Sequence, residues 1–233
     1  MNNAYQNPYL AAADAGPLER TQFLRRTYMH LAAAILAFAG LEAILLPTFG
    51  PQMTKLMVGS QYSWLVVLGL FMGASWLAEK WARSGTSLGT QYAGLGLYVV
   101  AEAIIFVPIL TIAINMSDKT LIPVAAMLTI GLFLGLTAVV LTTKKDFSFL
   151  GSFLKIGGFI AMGFIVASIV FGFNLGTIFA AVMVLFAAGA ILYQTSAVFH
   201  QYSTGQYVAA ALGLFASVAL LFFYILRILM SRR

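Results

Sequence analysis

Few side chains in this sequence are placed to do chemistry, and one stands out by its surroundings. Glu102 lies in the run Tyr98-Val99-Val100-Ala101-Glu102-Ala103-Ile104-Ile105-Phe106, an acid within an otherwise apolar stretch. A charge at the centre of a bilayer costs at least about 2.5–3.5 kcal/mol, so an acid kept there needs a reason. Two reasons fit: a proton or cation site facing a cavity, or a protonated or hydrogen-bonded carboxyl that fixes helix packing. The remaining ionisable groups sit nearer the ends of apolar runs. Glu42, shortly before Pro47, reads as interfacial. Glu79 and Lys80 read as boundary charges, with Glu79 spaced to pair with Arg83 at i, i+4. Lys155 and Arg227 are long enough to snorkel. His30 and His200 stand singly at run ends and read as interfacial, as do Trp64, Trp76 and Trp81. No HExxH, GxSxG or Walker loop is present. The chain has no cysteine, which excludes a thiolate nucleophile, a disulfide and a Cys-based metal site. Neither an enzyme activity nor a cofactor nor a bound metal is expected.

The elements that must carry these residues follow from composition. Of 233 residues, 61% are hydrophobic and 9% charged; soluble domains carry about 25% charged residues. A chain this apolar cannot cover itself with polar surface in water. Its apolar runs predict spans near 27–46, 62–82, 88–114, 120–142, 150–173, 177–200 and 206–230. Each is long enough to cross about 30 Å of hydrocarbon at 1.5 Å per residue. Backbone groups in lipid must be satisfied within the segment, and the runs lack the alternation of barrel strands, so the spans are helices. The fold class is an all-α integral membrane protein with seven transmembrane helices. Residues 1–24, with Pro8, Gly16 and Pro17, read as a flexible cytoplasmic tail, and 25–233 as the transmembrane domain. Gly69 with Gly73, Gly131 with Gly135, and Gly157 with Gly158 are expected to let helices approach closely.

The net charge of +6 follows membrane topology. Arg20, Arg25 and Arg26 precede span one; Lys80 and Arg83 follow span two; Lys144 and Lys145 follow span four. The opposite loops carry Lys55 and Lys119. The positive-inside rule then places the amino terminus in the cytoplasm. Arg227, Arg232 and Arg233 fall on the other side if the last segment spans; a re-entrant last segment would bring them back. No basic stripe on a folded domain suggests nucleic acid.

The run Lys144 to Leu154, KKDFSFLGSFL, resembles the signature that follows span four in the Bax inhibitor-1 family. Leu136-Thr137-Ala138-Val139-Val140-Leu141, Pro108-Ile109-Leu110, Phe23-Leu24-Arg25-Arg26-Thr27-Tyr28 and Ile191-Leu192-Tyr193-Gln194-Thr195 resemble further family segments. Val107 stands where the family usually has glycine before that proline. Together they cover all seven spans, and the chain looks similar to the bacterial, YccA-like branch. The resemblance implies seven helices, six of them around a central one. It implies two activities: a pH-gated calcium leak controlled by two aspartates on the last two helices, and, in the YccA-like branch, modulation of the membrane protease FtsH. The two aspartate positions match Gln194 and Ser217. Glutamine and serine cannot titrate, so these residues are expected to act as a polar clasp between helices. The pH gate does not carry over unless Glu102 supplies the acid.

Three functions follow. The first is a bacterial inner-membrane protein, multi-pass with a cytoplasmic amino terminus, that associates with other membrane proteins, FtsH first among them. The second is a calcium or proton leak channel. The third is a structural subunit of a larger membrane complex.

Overall fold

The computed structural model describes residues 11–232 apart from 86, 117 and 144. Seven helices account for nearly all of them: α1 (Pro17–Val58), α2 (Gln61–Ala82), α3 (Leu88–Asn115), α4 (Leu121–Thr143), α5 (Leu150–Phe171), α6 (Gly176–His200) and α7 (Tyr207–Ser231). All seven are long and apolar enough to cross a membrane. Large side chains such as Phe159, Phe171 and Ile178 stay exposed, as a lipid-facing surface requires.

Helices α2 to α7 begin and end within two residues of the predicted spans. The exception is α1, which runs for 42 residues, straight through Pro47 and Pro51. At 1.5 Å per residue it is about 63 Å long, twice the hydrocarbon thickness. Each proline removes one intrahelical bond. Two hydroxyls in this stretch bond one turn back along the helix: Thr48 Oγ1 donates to the Ile44 carbonyl at 2.7 Å and Thr54 Oγ1 to the Gly50 carbonyl at 2.8 Å. Gly50 also lies close against α3, where a Cβ would stand 2.7 Å from Thr111 Oγ1. The boundary expected at residues 24/25 therefore falls inside α1. Of the expected tail, residues 1–10 lie outside the described residues. The short stretch before α1 is held by Ala12, whose N–H donates to the Tyr202 carbonyl at 2.9 Å.

The last segment is one uninterrupted helix, and it is the most enclosed of the seven: 72% of its apolar window is buried inside the protein. Helix α7 packs against α1, α2, α3, α4 and α6. Helix α5 stands at the periphery, packed on α6 and α2, and only 6% of its window is buried.

The glycines that allow close approach are only in part those the sequence suggested. Gly69, Gly73, Gly131 and Gly135 face open space. Gly157 does meet Phe186, at 3.0 Å for an added Cβ. The tightest contact is Gly94 in α3, where a Cβ would lie 2.5 Å from the Ala78 carbonyl oxygen and 2.6 Å from the Ala82 nitrogen of α2. Four-residue spacing marks a helix face but does not say whether that face meets protein or lipid.

Candidate functional site

A cavity of about 700 Å³ lies between α2, α3, α5, α6 and α7. It exists because α5 leans on α6 and α2 and leaves space in front of α7. Both Glu102 and Gln194 line it; Ser217 does not. Glu79, Arg83 and Tyr98 line it as well.

Glu102 is 6% exposed, so the acid singled out in the sequence is buried in the protein and turned toward a cavity. Tyr98, one turn earlier on α3, is its polar neighbour. The two residues matching the family's aspartates do not hydrogen-bond to each other. Ser217 Oγ donates to the Gly213 carbonyl of its own helix at 2.9 Å. Gln194 lies against Gly213, where a Cβ would stand 2.7 Å from its Oε1. The expected clasp between Gln194 and Ser217 is thus replaced by two separate contacts with Gly213. Serine is too short to reach past its own helix once its hydroxyl has bonded one turn back.

Gln194 instead continues a chain of polar groups that enters the cavity from its amino-terminal side. Glu79 Oε1 accepts from Arg83 Nε at 2.9 Å, the i, i+4 pair anticipated from the sequence. Arg83 Nη2 donates to the Tyr202 hydroxyl at 3.3 Å and its guanidinium lies over that ring, 5.4 Å from the centroid. The Tyr202 hydroxyl in turn donates to Gln194 Oε1 at 3.5 Å. Burial works against the Arg83 charge, but Tyr202 and Glu79 more than offset it and leave its pKa above the ordinary value. Burial likewise pushes the Tyr202 phenol up, opposed by Arg83. Sequence reading missed Tyr202 because it lies in the α6–α7 connection, 119 residues from Arg83.

Glu42 is a second buried acid, and the reading of it as interfacial is corrected. It is 5% exposed, and neither carboxyl oxygen has a hydrogen-bond partner in the protein. Because α1 continues beyond Pro47, Glu42 lies mid-helix. The histidines are separate. His30 Nε2 is 3.0 Å from the Tyr92 hydroxyl, while His200 Nδ1 is 2.9 Å from the Ser196 carbonyl. Among the described residues, no group of three His, Cys, Asp or Glu is arranged to hold a metal.

The signature run has a structural role. Asp146 Oδ1 accepts the Ser148 N–H at 2.9 Å and the Ser148 hydroxyl, forming the turn into α5. It also accepts from Ser196 Oγ of α6 at 3.2 Å, and that hydroxyl accepts the Phe147 N–H at 2.9 Å. Gln201 Nε2 donates to Ser148 Oγ at 2.7 Å. The Ser148 hydroxyl and N–H, helped by Ser196 and His200, hold the Asp146 carboxyl below the usual carboxylate range. The run thus ties the start of α5 to the end of α6.

Comparison with known proteins covers this whole arrangement. A family model described as "Inhibitor of apoptosis-promoting Bax1" matches residues 20–233. An uncharacterised protein of Pseudomonas aeruginosa is 34% identical over 225 residues, covering 96% of this chain and 95% of its own. "Modulator of FtsH protease YccA" of Escherichia coli K12 is 32% identical over 215 residues, covering 91% of each chain. "Bax inhibitor 1" of Schizosaccharomyces pombe is 28% identical over 217 residues, covering 90% of this chain and 76% of its own.

Proposed function

The chain belongs to the Bax inhibitor-1 family, and from that premise we propose that it is an inner-membrane protein that associates with the FtsH protease and modulates it. The observation that carries the reading is the similarity to a protein named as a modulator of FtsH, which runs through all seven helices. Two features of the site support it. A pH gate needs two carboxylates close enough to share a proton, and the matching positions here are Gln194 and Ser217, each engaged with Gly213. Large apolar side chains such as Phe159, Phe171, Ile178 and Leu185 are exposed on the helices, which suits a membrane-embedded partner. In this reading the amino terminus is cytoplasmic, and the chain before Ala11 is what an energy-dependent protease would engage. Removing residues 2–10 leaves the Ala12 contact with Tyr202 in place. The shortened chain is expected to differ in half-life from the full chain in cells with active FtsH and to match it in cells without the protease. Equal half-lives in both would refute engagement through this segment.

A second reading, a proton or calcium leak, is favoured by one observation: Glu102 lines the cavity. In liposomes loaded with a calcium dye, a leak through this path requires flux that falls in Glu102→Gln. Absence of flux from the unaltered protein at pH 6 and pH 8 removes this reading.

A further inference from the structure

The cavity is not uniform along its length. Its lining on α7 runs from Ala209 to Arg227, 18 residues or about 27 Å along the helix. The half toward the amino-terminal side holds Glu79, Arg83, Tyr98, Glu102 and Gln194. The other half is bounded by Trp64 near the start of α2, Leu175 in the α5–α6 connection and Arg227 near the end of α7. In an up-and-down bundle those three positions lie at the same membrane face. Between them the walls are hydrocarbon: Leu68 of α2, Ile165 and Ile169 of α5, Leu220 and Phe223 of α7. On its α2 side the cavity reaches the surface past Met72, halfway along that helix and 48% exposed, where the apolar half meets the half that holds Glu79. What lies outside that opening, in a membrane, is lipid.

Arg227 is the one charged group in this apolar half. Among the described residues it makes no ion pair and no hydrogen bond, since the single ion pair joins Arg83 to Glu79. It projects beside Tyr224, one turn back on α7, which also lines the cavity. A guanidinium next to a phenol is suited to a phosphate diester, which accepts two N–H donors in its plane. From Arg227 to the level of Ala216 is 11 residues, about 16 Å, close to one leaflet of a hydrocarbon core about 30 Å thick.

We infer that the apolar half of this cavity is a phospholipid site: a lipid from the leaflet on the Arg227 side enters between α2 and α5, lays an acyl chain along Leu220 and Phe223, and sets its phosphate on Arg227. Charge complementarity selects an anionic head group, phosphatidylglycerol, because no acid of this half balances Arg227. The site is independent of the protease reading, because it rests on α2, α5 and α7 and not on the amino terminus.

The test is lipid retention by the whole protein in detergent, read by native mass spectrometry with phosphatidylglycerol added. Retention is expected to fall at least tenfold in Arg227→Gln. It should also fall in Leu220→Trp, which fills the groove and keeps the cation, and stay unchanged in Arg20→Gln, which lies away from the cavity. Equal retention in all variants would mean surface lipid only and overturn the proposal. Loss in Arg227→Gln with full retention in Leu220→Trp would mean a head-group contact without the groove, and overturns it too. Should Leu220→Trp fail to fold, dibrominated phosphatidylglycerol can be added to Trp76→Phe, Trp81→Phe protein. Saturable quenching of Trp64 is expected, and an absence of quenching contradicts the site.

Discussion

Replacing Gly94 by alanine should open the seam between α2 and α3. A Cβ at this position would stand 2.5 Å from the Ala78 carbonyl oxygen, 2.6 Å from the Ala82 nitrogen and 3.0 Å from Trp81 Cβ. Two of these are backbone atoms of a helix and cannot rotate away. Ordinary contact begins at 3.4 Å, so α2 and α3 must part by roughly 0.9 Å. Forcing extra atoms into a well-packed interface costs about 1–3 kcal/mol, and the immobile neighbours put this case at the top of that range. The opposing gain from replacing glycine by alanine within a helix is about 0.5–1 kcal/mol. The net loss is therefore about 2 kcal/mol, or roughly 4–8 °C in melting temperature for a chain of this size. Thermal unfolding of the purified protein in detergent measures it. The control is Gly69→Ala, whose Cβ meets nothing within 4 Å and which should melt at or slightly above the unaltered protein. A Gly94→Ala protein as stable as the Gly69→Ala protein would refute the packing argument.

Other perturbations have calculable outcomes. Glu42→Leu removes two buried carboxyl oxygens that have no partner and should raise stability by about 1–3 kcal/mol; a lower melting temperature than the unaltered protein would show that Glu42 has work to do in its buried state. Asp146→Ala should cost roughly 0.5–1 kcal/mol at pH 7, the low end for loss of a capping acceptor because the residue is exposed. The folded-state pKa of Asp146 is depressed by its hydrogen bonds, so its contribution is complete above the unfolded value of about 3.9 and is lost as pH falls through the folded value. The difference between the unaltered protein and Asp146→Ala should therefore shrink progressively as pH falls from about 4 through the folded value, and a difference that stays constant over that range would count against this account. Gln194→Asp with Ser217→Asp restores two titratable groups on either side of Gly213; calcium entry into liposomes that appears only in this variant and depends on pH would show that the fold contains a closed path, and silence would show that it does not.

How far the sequence went depends on which property was being read. The ends of α2 to α7 were legible because long apolar runs bounded by polar loops have one physical solution in lipid. Helix α1 was not, because Pro47 is ordinarily a stop signal. Beyond it the helix packs closely on α3, with Gly50 against Thr111, a tertiary contact that one sequence does not display. Glu42, read as interfacial, is buried within the bundle, which its place in the sequence does not reveal. Glu102 was legible because an acid in an apolar run is conspicuous. Arg83, Tyr202 and Gln194 form a chain across α2, the α6–α7 connection and α6. A contact between residues 119 positions apart leaves no periodic trace in one sequence. The pairs Gly69–Gly73 and Gly131–Gly135 failed for the opposite reason: their spacing was real, but their faces meet no other helix, while Gly94 and Gly213 carry close contacts without a partner at four residues.

The most direct measurement is the decay of a membrane substrate of FtsH in Escherichia coli cells that lack YccA, with and without this chain, together with its isolation in mild detergent. The account predicts that the chain slows substrate decay at least twofold and that FtsH is isolated with it. Unchanged decay with no FtsH isolated would contradict the assignment to protease modulation and leave the cavity acid Glu102 as the feature to explain.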